Sequence, residues 1–112
     1  MDDIAPVTVL YYQTNSGRCP FRDWLDSMGT GTQKMVDIRL TRVRRGLFGD
    51  SEYLRNGVHE LKFDVGPGYR IYYGKDGKTV VILLYAGHKK HQSADIDAAI
   101  SFWKDYLRRT RK

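Results

Sequence analysis

Charged and aromatic side chains alternate with apolar ones along two neighbouring segments in the second half of the chain. Glu60 and Lys62 lie two residues apart in one segment, and Arg70 and Tyr72 lie two residues apart in the next. A polar cluster, His-Lys-Lys-His-Gln, follows at residues 88–92. Lysine and arginine bind phosphates and stabilise charge on a phosphorus undergoing transfer, and tyrosine stacks on unpaired bases. These residue types predict a site for RNA, and the alternative is a solvated sheet face with cross-strand ion pairs.

The spacing of these residues predicts that a β-meander positions them. Residues 61, 63 and 65 are apolar and alternate with polar ones, the pattern of a strand with one buried and one exposed face. Residues 66–68, Gly-Pro-Gly, form a hairpin turn, and pairing through it places the four polar side chains side by side on the exposed face. A second turn at residues 75–78 leads into an almost entirely apolar strand, residues 79–85.

Other periodicities predict the elements around this meander. A β-branched and aromatic run at residues 7–12 indicates a first strand, and two short helices follow from Pro20 and from Thr32. Ser93 caps a last helix, whose stripe includes Trp103. The order is β-α-α-β-β-β-α. We therefore expect one α+β domain over residues 1–112, with a small antiparallel sheet, an N-terminal helical hairpin and a C-terminal helix.

Composition narrows the classes of function. The 112 residues carry a net charge of +6, which favours partners with negative surfaces. The single cysteine excludes an intramolecular disulfide, and the acidic start Met1-Asp2-Asp3 does not resemble a secretory signal, so we expect a cytoplasmic protein without a membrane segment. The three histidines have no metal-ligand spacing, and no glycine-rich phosphate loop precedes a helix. We expect neither a metal nor a cofactor.

Further cations flank the predicted site. Lys90 and His91 belong to the polar cluster, and Arg42 and Arg45 lie on the basic side of the second helix. These four side chains are candidates for holding RNA. The helix cations are equally compatible with a solvated face, or with neutralisation by an acidic partner protein.

The segments from Val58 onward resemble a known family. The residues are Val58-His59-Glu60-Leu61-Lys62, then Gly66-Pro67-Gly68-Tyr69-Arg70-Ile71-Tyr72-Tyr73, then Ala86-Gly87-His88-Lys89 and the helix start Ser-Ala-Asp-Ile. This pattern is similar to the phage Gp49-like or HigB-like branch of the RelE/ParE toxin superfamily, most clearly over residues 58–100. The resemblance implies a RelE-like fold and the toxin of a type II toxin–antitoxin pair, acting as a ribosome-dependent mRNA endonuclease.

The resemblance also implies roles and partners. Lys62, Arg70 and Lys89 correspond to cationic catalytic positions that activate the ribose 2′-hydroxyl without a metal. Glu60 stands where RelE has a lysine, and a tyrosine near the last helix has no counterpart, so Glu60, His88 and His91 are the acid–base candidates. The implied partners are a helix-turn-helix antitoxin, the ribosome and mRNA, with DNA reached only through the antitoxin. The alternatives are a ParE-like gyrase inhibitor and a non-catalytic nucleic-acid-binding module.

Overall fold

The computed structural model describes residues 6–111 of the chain. Met1–Asp3, which bear on the expectation about secretion, and Lys112 lie outside this range. In chain order the elements are β1 (Thr8–Tyr11), α1 (Pro20–Asp26), α2 (Thr30–Arg44), β2 (Ser51–Arg55), β3 (Val58–Lys62), β4 (Tyr69–Lys75), β5 (Val80–His88), a 3₁₀ turn (Lys89–His91) and α3 (Gln92–Thr110). None of these helices is long and apolar enough to cross a membrane.

The strands form one mixed sheet in the order β1-β5-β4-β3-β2. The meander β3-β4-β5 is antiparallel, as predicted, and the α+β class, the helical hairpin and the C-terminal helix are confirmed. The expectation of a purely antiparallel sheet is wrong, because β1 pairs with β5 in parallel. The two helices of the hairpin carry the chain across the sheet between β1 and the meander, and β1 and β5 therefore run in the same direction.

Strand β2 is absent from the predicted order. It pairs antiparallel with β3 through a two-residue turn at Asn56 and Gly57. Both turn residues have positive φ, 52° and 85°. Asn-Gly is the preferred pair for such a turn, so the signal for this hairpin was present in the sequence. The missed strand matters because it brings Glu52 beside the predicted site.

Helices cover the sheet on both faces, which makes three layers. One core lies under α1 and α2, where Val36, Leu40 and Val43 of α2 are fully buried against the sheet. The other core lies under α3 and is centred on Ile100 and Trp103. Burying a large aliphatic side chain stabilises the fold by about 1.5–3 kcal/mol, so both helices are held to the sheet by their apolar stripes.

The predicted exposed face of the meander is covered by α3. Glu60, Arg70 and Tyr72 are only 2%, 8% and 0% exposed, and Lys62 is half-buried. Polar and apolar residues therefore do alternate between the two faces of β3 and β4, but both faces are covered by helices. The prediction that these residues face solvent is wrong, because α3 crosses β5, β4 and β3 on this side.

Candidate active site

Strand pairing brings the predicted polar residues together as expected. Glu60 lies opposite Tyr72 and Lys62 lies opposite Arg70 across the β3–β4 pair. Gln92, the first residue of α3, reaches down to this group from above. We call these five residues the Glu60–Arg70 cluster. The cluster is a buried polar region on a sheet face that is otherwise apolar under α3.

Glu60 lies at the centre of the cluster. Its Oε1 accepts a hydrogen bond of 2.9 Å from Gln92 Nε2 and lies 3.8 Å from Arg70 Nε. Its Oε2 lies 3.9 Å from Lys62 Nζ. Burial raises the pKa of the Glu60 carboxyl, against the opposing influence of Arg70, Gln92 and Lys62. Because its side chain is 3% exposed, Glu60 can orient the cations around it but cannot touch an RNA strand in this conformation.

Arg70 runs from the cluster toward the end of the sheet. Its Nη1 donates to the backbone oxygen of Tyr69 at 3.0 Å. Among the residues that the structure describes, the buried side-chain atoms without a hydrogen-bond partner are Arg70 Nε and Tyr72 Oη. A buried polar atom without a partner typically costs about 1–3 kcal/mol. Arg70 is therefore held between the Tyr69 carbonyl and the Glu60 carboxylate, and part of its side chain lines the groove described below.

Lys62 is engaged by the neighbouring strand. Its Nζ lies 2.5 Å from Glu52 Oε1 on β2. The hydrogen bond with Glu52 is the main reason that the pKa of Lys62 is raised above its ordinary value. Lys62 thus remains cationic and paired, which favours a positioning role over proton transfer.

A polar groove opens beside Arg70 at the end of the sheet where β3 ends and β4 begins. Its volume is about 310 Å³, and it is lined by Asp64, the 66–68 turn, Arg70 and Lys89. The backbone N–H of Lys89 donates to the oxygen of Gly68 at 2.8 Å, which fixes the basic turn against the β3–β4 loop. Gly68 has φ of 76° and lies close to both Lys89 and Arg70. We call this the Arg70–Lys89 groove.

The histidines and Lys90 belong to the segment that carries Lys89 into this groove. His88 ends β5, is half-buried and packs edge-to-face on Tyr69, with ring centroids 5.5 Å apart. His91 is exposed, with its ring centroid 6.3 Å from that of His88. Lys89 and Lys90 are exposed in the same turn. Two cations and two imidazoles therefore occur within four residues, beside the only arginine of β4, and such a group can hold a phosphate and exchange protons with it.

Three predicted RNA contacts do not join the groove. Tyr72 is fully buried beneath α3, so the prediction that its ring stacks on a base is wrong for this conformation. Arg42 is exposed on α2, on the other face of the sheet, where it lines a separate cavity with Lys62. Arg45 is exposed beyond the end of α2, next to the start of β1 at the opposite end of the sheet.

Sequence reasoning missed several residues that position the site. Glu52 was missed with its strand, and Asp95, on α3, packs its carboxylate against Gly87. Arg39 donates to the backbone oxygens of Phe48, Asp50 and Lys62 at 3.1, 2.7 and 2.8 Å, so it fastens α2 to the loop before β2 and to the end of β3. The contacts of Arg39 and Asp95 depend on tertiary packing, and no local sequence signal indicates them. Within residues 6–111, no group of three or more histidine, cysteine or acidic side chains is placed to hold a metal ion.

Comparison with known proteins identifies a relative. No model of a known protein family matches the sequence. An uncharacterized protein of Haemophilus influenzae is 36% identical to this chain over 80 residues, which span 70% of this chain and 81% of that protein. Identity at this level over most of both chains indicates common ancestry. The chain belongs to the same family as this Haemophilus influenzae protein.

Proposed function

We propose that this protein is the toxin of a type II toxin–antitoxin pair and cleaves mRNA on the ribosome without a metal. The observation that carries the proposal is the convergence of Arg70 and Lys89 on one polar groove, with His88 and His91 one and two residues from Lys89 in the chain. The net charge of +6 supports an anionic partner. The resemblance of residues 58–100 to HigB-like toxins supports the choice of mRNA and of an antitoxin partner.

The proposed reaction is an in-line transfer within the RNA strand. The ribose 2′-oxygen forms a bond to the adjacent phosphorus, and the bond from phosphorus to the 5′-oxygen of the next nucleotide breaks. A base takes the proton of the 2′-hydroxyl, and an acid gives a proton to the leaving 5′-oxygen. The products are a 2′,3′-cyclic phosphate and a 5′-hydroxyl. Arg70 and Lys89 stabilise the charge on the phosphorane.

The remaining residues divide into two roles. His88 and His91 are the acid–base pair, because an imidazole can both accept and donate a proton and the two residues flank Lys89 in the same short segment. Glu60 and Lys62 are positioning residues, because one is buried behind Gln92 and the other is paired with Glu52. Lys90 is exposed and contributes to the attraction of RNA.

Replacing Arg70 or Lys89 tests the proposal. The purified protein is added to a cell-free translation reaction, and the 5′ ends of the mRNA are mapped. We expect translation-dependent cuts by the wild type and a loss of about 100–1,000-fold in Arg70→Ala, the usual cost of removing a donor to the transition state. Because the Lys89 side chain is exposed, we expect Lys89→Ala to fold normally. We expect this variant also to cut mRNA poorly.

A charge-matched control separates the site from general basicity. Lys78 is exposed in the turn between β4 and β5, at the other end of the sheet, and Lys78→Ala removes one positive charge. We expect this variant to cut mRNA like the wild type. Full activity in a folded Arg70→Ala protein, or equal losses in Lys78→Ala and Lys89→Ala, would overturn the assignment of the groove.

A second candidate function is a non-catalytic RNA-binding module. The burial of Glu60 favours it, because a buried Glu60 cannot contact RNA and only two of the three acid–base candidates, His88 and His91, then remain. In that case the protein would bind RNA tightly and leave it uncut after long incubation with ribosomes. Intact mRNA accompanied by DNA-damage signalling would instead indicate gyrase inhibition.

A further inference from the structure

A second cavity lies at the edge of the sheet, between α1 and α3. Its volume is about 420 Å³, and its lining includes Trp24, Tyr85, Phe102, Arg18 and Asp23. All three aromatic side chains are half-buried. We call this cavity the aromatic cleft. It contains none of the residues of the Arg70–Lys89 groove.

The cleft exists because β1 is shorter than β5. β1 pairs with β5 only as far as Leu83, and the last bond of this pairing runs from the Tyr12 N–H to the Leu83 oxygen at 3.0 Å. β5 continues to His88 with β4 on one side and no strand on the other within the described chain. The pairing of β4 with β5 steps from Tyr73–Leu83 to Tyr72–Tyr85, so a one-residue bulge at Leu84 interrupts the alternation, and beyond Leu83 the open edge of β5 lies between α1 and α3.

The aromatic rings in the cleft offer a stacking surface. Tyr85 and Phe102 pack edge-to-face, with centroids 5.9 Å apart and an interplanar angle of 89°. Trp24 is held edge-on by Tyr69, with centroids 5.8 Å apart. Edge-to-face packing fixes a ring while leaving part of its face free. Unpaired bases are bound by proteins in this way, by stacking on fixed aromatic side chains.

Polar groups at the cleft fit the edge of a base. Arg18 Nη2 and Asp23 Oδ2 lie 3.3 Å apart, and their side chains are 75% and 54% exposed. A guanidinium supplies donors and a carboxylate supplies acceptors, the two kinds of group that a base edge requires. The turn that carries Arg18 is closed by hydrogen bonds in both directions with Thr14, of 2.8 and 3.2 Å. Arg18 is therefore presented by an ordered turn.

The cleft adjoins the Arg70–Lys89 groove. Tyr85 lies two residues from Gly87, which pairs with Arg70, a separation of about 7 Å along the strand. On the other side, Trp24 contacts Tyr69, and Tyr69 contacts His88. Neighbouring nucleotides of one RNA strand can therefore occupy the two places together.

We propose that the aromatic cleft binds one unpaired RNA base next to the nucleotide whose phosphate occupies the Arg70–Lys89 groove. This inference rests on the proposed function for the choice of RNA, and it names the subsite that would select the neighbouring base. An extended peptide paired with the open edge of β5 is the competing occupant. The base is favoured because strand pairing uses main-chain groups and needs neither three aromatic rings nor an exposed ion pair.

The chain contains two tryptophans, and they provide a probe and an internal control. Trp24 lies in the cleft, whereas Trp103 is 6% exposed on the side of α3 that packs on the sheet. We expect trinucleotide RNA, titrated into the ¹⁵N-labelled full chain, to shift the Trp24 indole resonance and leave that of Trp103 in place. A trinucleotide of the same charge with an abasic central or flanking position should bind more weakly and shift Trp24 less.

Two substitutions complete the test. Tyr85→Leu and Phe102→Leu keep apolar side chains at half-buried positions, and each should weaken trinucleotide binding about 10-fold, the usual scale for losing one stacked base. Tyr53→Leu removes an aromatic ring that is 57% exposed on β2 and should bind like the wild type. Equal binding of abasic and intact RNA, or RNA binding with Trp24 unmoved, overturns the inference.

The outcomes also separate this inference from the proposed function. If mRNA is never cut but intact trinucleotide still shifts Trp24, the endonuclease proposal fails and the base-binding cleft stands. If translation-dependent cuts occur and Tyr85→Leu changes neither their rate nor their sequence preference, the endonuclease stands and the cleft proposal fails.

Discussion

The two ends of α3 are both attached to the sheet through polar side chains, but in opposite ways. At the C-terminal end, Asp105 accepts a 2.6 Å hydrogen bond from Tyr12 and another from Arg109. Asp76, in the turn after β4, accepts a 2.6 Å bond from Tyr106. Every one of these carboxylates has a charged or hydroxyl donor, and the network lies near solvent. These bonds attach the C-terminal end of α3 to the rest of the fold.

At the N-terminal end, the polar groups are buried and incompletely paired. Gln92 binds Glu60 beneath the helix, and within residues 6–111 Arg70 Nε and Tyr72 Oη have no hydrogen-bond partner. Unpaired buried groups reduce stability, and folds tolerate them chiefly where a site needs them. The comparison therefore indicates that the C-terminal half of α3 holds the helix in place, while the N-terminal half covers a cluster arranged for another purpose.

The same small substitution beneath each half of α3 provides the sharpest test. A Cβ at Gly74 would overlap the Trp103 ring, and a Cβ at Gly87 would overlap the end of the Asp95 side chain. The indole is rigid and packed in the core, so we expect Gly74→Ala to lower the free energy of unfolding by about 3 kcal/mol. The Asp95 carboxylate can rotate away, so Gly87→Ala should cost about 1 kcal/mol. Urea unfolding followed by circular dichroism measures both.

Function should respond in the reverse order. Gly87→Ala turns the Asp95 carboxylate away from the strand residue that pairs with Arg70, so we expect mRNA cleavage to fall in a protein that remains folded. Gly74→Ala should retain cleavage at temperatures at which it is still folded. Equal losses of stability in the two variants would contradict this comparison, because they would show that both halves of α3 contribute equally to the stability of the fold.

The sequence was sufficient to place the polar residues of the cluster side by side. The period of two along β3 and β4 and the Gly-Pro-Gly turn set the register, so Glu60 facing Tyr72 follows from local information. What covers a strand face is decided by distant elements. The polar alternation is the same whether water or α3 lies above it, and Tyr72 was therefore predicted to be exposed.

Two other differences have the same origin. The parallel pairing of β1 depends on how the helical hairpin crosses the sheet, which no local pattern records. The aromatic cleft depends on β1 ending at Tyr11 while β5 continues to His88, a mismatch between strands far apart in the sequence. Trp24 packs against the core, and only the tertiary structure shows that its remaining exposed area faces a cavity shared with Tyr85 and Phe102.

A smaller effect should follow from removing the charge of Glu60 alone. Glu60→Gln keeps the shape of the side chain and can still bond with Gln92, but it no longer attracts Arg70 and Lys62. We expect the cleavage rate to fall about 10-fold to 100-fold, the scale of a slightly misplaced catalytic group. RNA affinity should be unchanged or higher, because a negative charge has been removed. Reduced affinity at an unchanged rate would contradict the positioning role.

The smallest expected effect is a difference in pH dependence between the two ends of α3. The bond from Tyr12, followed by that from Arg109, lowers the pKa of Asp105, so its contribution to stability is present above the unfolded value of about 3.9 and is lost as the pH falls through the lower folded value. Burial raises the pKa of Glu60, so its ionisation opposes folding as the pH rises from the unfolded value of about 4.3 through the higher folded value. We therefore expect Asp105→Asn to lose less stability than the wild type on acidification below about pH 4. We expect Glu60→Gln to gain stability relative to the wild type as the pH rises above about 4.3. Urea midpoints measured across this range for the three proteins would contradict the comparison if both variants shifted in the same direction over the same interval.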